Sequence, residues 1–339
     1  MKIAALLQHV EVFGGVRRYI ELGNEFVRPG HTYVLFHPHG EKPEWLDFYG
    51  LTRPFSSLED EEFDVGLCSE YSIVPHFEKL RARKKYFYFL LEGHKKEREV
   101  ILKNFLFLGN SEGMCRHLEK KYGIKCFRAP GGVNTRIFYP LENGPSSDTI
   151  NILSYGRIYK RRKGIKHVIS AVESLYREYP QLRLVFFDTL VGGDQWDPRQ
   201  LIKTSVPHDF YLNLPQDKMA WLFSQADMFV SAERRAGWAN TSAEAMACRL
   251  PVICTQSGSR DFALHNQTAL VVPFPLPFFL RRHILRLIKN PALRDGLAEA
   301  GYRKIQEFTW ASLAERLLAL FEKSAEFPRC RKIETSGSL

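Results

Sequence analysis

The second half of the chain contains basic residues at positions suited to binding phosphate groups. Gly156-Arg157 ends a predicted strand, and Lys163 stands at the start of the helix predicted to follow it. Arginine binds phosphate through two parallel N–H groups and lysine supplies a compact positive charge, so together they suit two linked phosphates. Lys160 and Arg161, which lie between them, are typical of a solvated basic loop. This segment therefore predicts a diphosphate site.

A second anion site is predicted where a strand ends at Ser231 and a helix opens at Thr241. The first N–H groups of a helix have no partner within the helix, and together with the helix dipole they attract anions. Thr241 and Glu244 also match the S/T-x-x-E capping box. A role for Glu244 in a helix cap, contributing about 1 kcal/mol, is therefore an alternative to a role in ligand binding.

Short apolar segments alternate with amphipathic helical patterns along the whole chain. In the first half we predict strands at Lys2–Leu7, Thr32–Phe36, Asp64–Cys68, Tyr86–Leu91 and Phe105–Gly109, and helices at Gly15–Val27 and Gly113–Tyr122. In the second half we predict strands at Ile150–Tyr155, Leu182–Phe187, Met228–Ser231 and Val252–Thr255, and helices at Ile165–Glu178, Met219–Gln225, Thr241–Cys248, Phe278–Lys289, Pro291–Phe308 and Trp310–Lys323. This alternation is typical of parallel sheets covered by helices on both faces.

The expected fold class is α/β, with two doubly wound, Rossmann-like domains facing each other across a cleft. A chain of 339 residues exceeds what one hydrophobic core usually organises. The polar, turn-rich segment 141–148 is the best linker, which gives an N-terminal domain over 1–145 and a C-terminal domain over 146–308. Residues 309–326 are expected to form a helix that packs back on the N-terminal domain, and 327–339 a disordered tail. Open sheets bind ligands at the carboxyl ends of their strands, so the cleft is the expected site.

The composition is that of an ordinary globular protein, with 45% apolar and 25% charged residues. No apolar run is long enough to span a membrane, and we interpret the start at Met1–Leu7 as a buried strand rather than a signal peptide. The six cysteines show no metal-ligand spacing, which indicates reduced thiols and a cytoplasmic location.

Positive charge is concentrated in one part of the first half. The net charge is +10, and residues 76–128 carry +8 of it through 14 Lys/Arg against six Glu. This segment favours peripheral contact with an anionic membrane at its inner face or with an acidic acceptor, while solvated helix faces explain it equally well. No nucleic-acid-binding signature accompanies it, so nucleic acid is not an expected partner.

A set of motifs, taken in order, resembles the family-4 retaining glycosyltransferases of the GT-B fold, also called glycosyl transferases group 1. In the first half the matching segments are Gly14–Tyr19, Gly109–Glu112, Pro130–Asn134 and Phe138–Pro140; in the second half they are Gly156-Arg157, Lys163-Gly164, Ala226–Ser231, Glu244–Ile253, Ser257–Asp261 and Phe308–Trp310. The resemblance implies an enzyme that moves a sugar from a nucleotide-diphosphate donor to a hydroxyl of a glycan, lipid or small molecule, with retention of configuration. It implies that 1–145 is the acceptor-side domain and 146–308 the nucleotide-sugar-binding domain. It implies no cofactor beyond this co-substrate and suggests a role in polysaccharide biosynthesis.

The resemblance also implies roles for individual residues. Glu244 matches the second acid of the Glu-x7-Glu signature, which holds the ribose hydroxyls of the donor. Arg157 and Lys163 match the basic pair that binds the diphosphate. Loop and helix-start positions make up the rest of the matched donor site: Gly14, Gly15, Gly237, Trp238, Ala239, Asn240 and Thr241.

Two departures from the family pattern affect these expectations. The first acid of the signature, which contacts hydroxyls of the transferred sugar, falls at Ala236, and Glu233 is the nearest acid. The spacing from Arg157 to Lys163 is one residue longer than usual, so Arg162 is an alternative diphosphate contact. The missing acid leaves the donor sugar open and keeps two alternatives, a catalytically weak nucleotide-sugar-binding protein and a GT-B-fold sugar-nucleotide epimerase.

Glycosyl transfer builds negative charge on the departing diphosphate. No Asp-x-Asp motif is suitably placed to bind a metal, so we expect the basic residues and the helix start to stabilise this charge without one. On the acceptor side, Glu92 and His94 follow the strand Tyr86–Leu91 and are expected to face the cleft, with His94 as first candidate for a contact to the reacting centre. His9, after the first strand, is a third candidate.

Overall fold

The computed structural model describes residues 1–142, 148–192, 194 and 196–323. Within these ranges the chain forms two parallel β-sheets, each with a hydrophobic core on both faces. Most of the predicted linker 141–148 and the whole of the predicted tail 327–339 lie outside the described residues.

The first sheet is built from the N-terminal part of the chain. Its strands are β1 (Lys2–Leu6), β2 (Thr32–His37), β3 (Leu51–Pro54), β4 (Phe63–Cys68), β5 (Ala82–Phe89), β6 (Leu106–Gly109) and β7 (Phe127–Arg128). Its helices are α1 (Gly14–Val27), α2 (Val74–Lys79), α3 (Glu97–Ile101) and α4 (Glu112–Tyr122), with 3-10 turns at Phe55–Ser57 and Tyr71–Ile73. The strands lie in the order β3-β2-β1-β4-β5-β6-β7, and all pairs are parallel.

The second sheet follows the same plan. Its strands are β8 (Ile150–Tyr155), β9 (Leu182–Asp188), β10 (His208–Leu212), β11 (Met228–Val230), β12 (Val252–Thr255) and β13 (Leu270–Val272). The helices are α5 (Ile165–Tyr176), α6 (Pro198–Leu201), α7 (Met219–Ser224), α8 (Asn240–Ala247), α9 (Pro277–Lys289), α10 (Pro291–Ile305) and α11 (Trp310–Glu322), with 3-10 turns at Arg161–Lys163 and Gln216–Lys218. The order is β10-β9-β8-β11-β12-β13, again all parallel.

The strand order reverses beside the first strand of each sheet. In the first sheet β1 lies between β2 and β4, and in the second β8 lies between β9 and β11. Connections on the two sides of such a strand leave to opposite faces and open a crevice at its carboxyl end. The segment with Gly14 follows β1 and Arg157 follows β8, so both predicted ligand loops lie at these crevices.

The last helix packs against the first sheet. Leu313, Leu317 and Phe321 of α11 share a hydrophobic core with residues of α1 and β5, and the rings of Phe321 and Tyr86 have centroids 5.1 Å apart. Helix α11 also packs along α1. The end of the described chain therefore ties the two halves together.

The α/β class with two Rossmann-like domains is confirmed, and the predicted strands and helices are found within a few residues of the expected bounds. Four strands went unpredicted, β3, β7, β10 and β13, and each lies at or next to the edge of its sheet as a segment of two to five residues. Such strands need no long apolar pattern, because one side has no neighbouring strand to pack against. None of the helices in the described ranges has the length and apolar character needed to cross a membrane.

Candidate active site

A cavity of about 340 Å³ lies between the carboxyl ends of the two sheets. Both halves of the chain contribute to its wall, and its volume is that of a small-molecule site. The predicted donor-site residues that line it are Gly14, Gly15, Arg157, Arg162, Lys163, Gly237, Trp238, Asn240, Thr241 and Glu244. Ala239 is buried and does not line the cavity. Among the described residues, no group of three or more His, Cys, Asp and Glu side chains is placed to hold a metal ion.

Arg157 is held at the cavity wall by a carboxylate that the sequence did not reveal. Its Nε lies 3.1 and 3.2 Å from the two carboxylate oxygens of Asp188, the last residue of β9, and its Nη2 donates to the carbonyl of Thr189. Asp194 lies 3.6 Å from the same Nη2. Burial raises the pKa of Asp188, and the adjacent guanidinium opposes that rise. The arginine is therefore oriented in advance, with its charge partly balanced.

Lys163 is also paired with an acid, whereas Arg162 is not. The Nζ of Lys163 lies 2.6 Å from a carboxylate oxygen of Glu233, a buried residue in the loop after β11. Arg162 is exposed, and its only side-chain hydrogen bond among the described residues is a long one, 3.4 Å, to the carbonyl of Arg235. The structure thus brings both candidates to the cavity, and Arg162 has no carboxylate partner in the described part of the chain.

Gly164 allows the basic turn Arg161–Lys163 to pack closely against the loop after β11. It has φ of +69°, and a Cβ atom there would overlap the carbonyl of Ala232. Only glycine meets both demands without strain. The turn carrying Arg162 and Lys163 is in this way fixed against the segment carrying Glu233.

The capping-box interpretation of Thr241 and Glu244 is wrong. Helix α8 begins at Asn240, one residue earlier than predicted, and its cap residue Ala239 has no side chain able to accept a hydrogen bond. Thr241 therefore lies inside the helix, and Glu244 lies beyond its capping position. A role in a helix cap therefore does not explain Glu244.

Glu244 instead presents a carboxylate to the cavity. Within the described part of the chain its side chain forms neither a hydrogen bond nor an ion pair, although it is only 8% exposed. Burial raises the pKa of Glu244; the charges of Arg17 and Lys163 oppose this rise and that of Glu21 adds to it. A buried acceptor with no protein partner is suited to ligand hydroxyls.

Arg17 is a site residue that the sequence reasoning missed. It follows the predicted glycine loop on α1, and its guanidinium lies over the rings of Trp45 and Phe138 at 5.3 and 5.7 Å. Its Nη2 donates to Gln216 of the other half. Its buried Nη1 lies 3.7 Å from a carboxylate oxygen of Glu21 and has no hydrogen-bond partner among the described residues. The sequence places this basic residue directly after Gly14-Gly15-Val16, a position that could have suggested a role in the site. The resemblance to the family gave a role only to the two glycines.

Glycines allow the two halves to approach closely around the cavity. A Cβ atom at Gly237 would overlap the carbonyl oxygen of Leu90, and one at Gly14 would overlap the side chain of Asn240. Across the same boundary Arg235 Nη2 donates to the carbonyl of Glu92 over 2.7 Å. The cleft is closed at these points, and larger side chains would hold it open.

The structure does not bring His94 to this cavity. Its ring stacks on Tyr71 with centroids 3.8 Å apart, and its amide N–H donates to the buried carboxylate of Glu97. Strand β5 ends at Phe89, two residues earlier than predicted, so Leu90 and Leu91 take the places at the cavity. His9 does not line the cavity either, and Glu92 lies on a neighbouring one.

Glu97 is a second residue that sequence reasoning missed. Its carboxylate is fully buried and accepts hydrogen bonds from the Gly93 amide, from Nε2 of His117 at 2.9 Å and from the hydroxyl of Tyr122 at 2.9 Å. It therefore fixes the loop after β5 through long-range contacts.

Ala236 lines the cavity where the family pattern has an acid. Its amide donates to the hydroxyl of Ser257 over 2.8 Å, so the backbone is fixed. Glu233, the nearest acid, lines the same cavity, and one of its carboxylate oxygens accepts a hydrogen bond from Lys163.

Residues 138–304 match the family model described as glycosyl transferases group 1. This part of the chain belongs to the group 1 glycosyltransferases. The predicted resemblance to the glycosyl transferases group 1 is confirmed for this segment, which contains both the basic turn and α8.

A curated relative, the D-inositol 3-phosphate glycosyltransferase of Pseudarthrobacter chlorophenolicus, is 26% identical over 236 residues, covering 65% of this chain and 56% of the relative. The chain spans about half the length of the curated relatives it matches.

Solved structures share this two-domain fold over almost the whole chain. Sucrose-phosphate synthase from Thermosynechococcus elongatus superposes with a TM-score of 0.77 at 18% identity, covering 94% of this chain and 98% of that one. HepE from Anabaena, solved with UDP and glucose, gives a TM-score of 0.74 at 14% identity, covering 96% and 100%. These similarities confirm the GT-B architecture.

Proposed function

We propose that the protein is a glycosyltransferase that moves a sugar from a nucleoside diphosphate donor to an acceptor hydroxyl with retention of configuration. The observation that carries this proposal is the convergence of Arg157, Arg162, Lys163 and the unpartnered carboxylate of Glu244 on one cavity between the two sheets. Three cations beside one carboxylate acceptor match the two ends of a nucleoside diphosphate, its phosphates and its ribose.

The diphosphate is assigned to the basic turn and the start of α8. Arg162 has no carboxylate to neutralise it among the described residues, so it is available to a phosphate. Arg157 and Lys163 are oriented by Asp188 and Glu233 and need little rearrangement to bind. Fixed cations and helix-start N–H groups stabilise the charge that develops on a leaving diphosphate, so we assign this role to the protein rather than to a metal ion.

The ribose hydroxyls are assigned to Glu244. A carboxylate accepts two hydroxyl hydrogen bonds well. Burial raises the pKa of Glu244, and the charges of Arg17 and Lys163 oppose this rise. The Anabaena protein of the same fold was solved with UDP and glucose, which supports a nucleotide ligand for this architecture.

The acceptor is proposed to be a hydroxyl of a glycan, a lipid-linked sugar or a small molecule. The name of the Pseudarthrobacter relative, a D-inositol 3-phosphate glycosyltransferase, supports a small acceptor. His94 receives no support as the group at the reacting centre, since its ring is stacked on Tyr71. Contact of residues 76–128 with a membrane and a role in polysaccharide biosynthesis stay predictions.

A nucleotide-sugar-binding protein with little turnover is the second candidate. The observation that favours it is the methyl group of Ala236 at the position of the signature acid, together with the engagement of Glu233 by Lys163. Such a protein would keep donor affinity and lose transfer.

A panel of sugar nucleotides, incubated without added metal, separates these functions. We expect release of nucleoside diphosphate from at least one donor, and loss of that release in Arg157→Ala. Binding across the panel without release would favour the binding protein, and conversion of the sugar without release of diphosphate would favour an epimerase. Unchanged release in Arg157→Ala would contradict the proposed site.

A further inference from the structure

A second cavity of about 710 Å³ adjoins the first one. The two share Leu91, Glu233 and Ala236 in their walls. Ala236 thus stands at the boundary, where the family signature places an acid that contacts the transferred sugar. With only a methyl group there, a sugar bound in the first cavity has the second one next to it.

The second cavity is lined by three arginines. Arg234, Arg235 and Arg260 all contribute to its wall and all are exposed. Within the described ranges none of their guanidinium groups forms an ion pair, and the one hydrogen bond is from Arg235 to the carbonyl of Glu92. Unpaired guanidinium groups in a concave site are suited to carboxylates and phosphates, which they bind through two parallel hydrogen bonds.

The acidic groups nearby do not cancel this charge. Glu233 is bound to Lys163, and the buried Asp261, beside Arg260 in sequence, is bound to Arg128. Nε2 of His117, also in the wall, donates to the carboxylate of Glu97. Glu92 is the one acid of the wall without an ion pair in the described part of the chain, against three arginines.

We propose that this cavity, defined by Arg234, Arg235 and Arg260, is a subsite for an anionic group on a sugar bound beside Ala236. The group is a carboxylate, as in a uronic acid, or a phosphate. The inference rests on the proposed function for the position of the sugar. The absence of an acid at position 236 fits it, because a carboxylate there would repel such a sugar. The anionic group belongs either to the transferred sugar or to the acceptor.

Binding measured by calorimetry on the full chain tests the subsite and identifies the source. The first arm compares UDP-glucuronic acid with UDP-glucose and GDP-mannuronic acid with GDP-mannose. The second arm compares glucose 6-phosphate with glucose, in the presence and absence of nucleoside diphosphate. In one arm we expect the charged member to bind about 10- to 100-fold more tightly, as charge-assisted hydrogen bonds allow, and this preference to fall with added salt.

Variants tie the preference to the cavity. Arg260→Ala and Arg234→Ala should each reduce the preference for the charged member by about tenfold, while the control Arg282→Ala, an exposed arginine on α9, should retain it. Equal binding of charged and neutral members in both arms, or a preference that both cavity variants retain, would overturn the inference. Binding of the nucleoside diphosphate alone tests the proposed function separately. Failure of the anionic subsite can therefore be distinguished from failure of the proposed nucleotide site.

Discussion

At the scale of single residues, the main feature of the site is that both predicted diphosphate-binding residues, Arg157 and Lys163, already have acidic partners. Arg157 is held by Asp188 and Lys163 by Glu233, so both are oriented before a ligand arrives. The basic positions could be predicted, because a strand end and a helix start are recognisable in sequence. Their partners could not, since Asp188 meets Arg157 only through the pairing of β9 with β8.

Arg162 is expected to contribute more to diphosphate binding than its exposed position suggests. Replacing it by alanine should weaken nucleoside diphosphate affinity by about 10- to 100-fold, because it is a cation at the cavity without a carboxylate partner in the described chain. The matched control is Arg161→Ala, which removes an adjacent exposed arginine that does not line the cavity. Equal effects of the two substitutions in a binding titration would refute the assignment.

Because of Glu244 we expect folding stability and nucleotide affinity to change with pH in opposite directions. Burial raises the pKa of Glu244 above its ordinary value of 4.5, so the neutral form is more favoured in the folded protein than in the unfolded protein. Its contribution to stability is therefore present at low pH and lost as pH rises through the raised pKa. Nucleotide affinity should instead increase over the same interval, because the carboxylate is the better acceptor for ribose hydroxyls.

Titrations of nucleotide binding at several pH values check this expectation. Glu244→Gln should have weaker affinity near neutral pH and should lack the rise that the wild-type protein shows. A wild-type affinity that is flat with pH, or the same rise in Glu244→Gln, would argue against ribose binding by this residue.

At the scale of elements, the site depends on loops that meet at glycines. The segment after β11 reaches the segment after β5 through Gly237, whose hydrogen atoms face the carbonyl of Leu90. The strands and long helices could be predicted from apolar patterns. The place of His94 could not, because Glu97, His117 and Tyr122 come together only in the fold. The start of α8 was predicted one residue too late, at Thr241, because its cap residue Ala239 gives no capping signal.

Gly237→Ala is expected to prevent close approach of the two halves. The added methyl group would overlap Leu90, so turnover should fall by about 100-fold, and overpacking should cost about 1–3 kcal/mol of unfolding free energy. Gly296→Ala is the control, since no atom lies within 4 Å of the added Cβ in the exposed interior of α10. That substitution should raise stability by about 0.5–1 kcal/mol. Similar activity of the two variants would show that the closed contact is not needed.

At the scale of the whole molecule, α11 joins the end of the described chain to the first sheet. Leu317 is fully buried in the core of that sheet, and Lys84 of β5 donates to the carbonyls of Phe321 and Lys323 at the helix end. Some charges of the basic segment 76–128 thus have partners within the protein; Lys103, for example, pairs with Glu78 at the surface. The alternating pattern was enough to predict two sheets. It carried no information on how the basic charges are shared out in space.

Leu317→Ala should destabilise the protein by about 2–5 kcal/mol, the usual cost of such a cavity in a core. Glu315→Ala, on the exposed face of the same helix, should change stability by no more than about 0.5 kcal/mol. Thermal or denaturant unfolding of both variants measures the difference. A small effect of Leu317→Ala would mean that α11 is not an integral part of the first core.

We propose above all that the cavity between the two sheets binds two linked phosphates. This proposal is tested most directly by calorimetric titration with the diphosphates and monophosphates of uridine, guanosine, adenosine and thymidine. For at least one base the diphosphate is expected to bind about tenfold or more tightly than the monophosphate, and Arg157→Ala should remove the difference. Equal affinity for both forms of every nucleotide, or a difference that survives in Arg157→Ala, would contradict the claim.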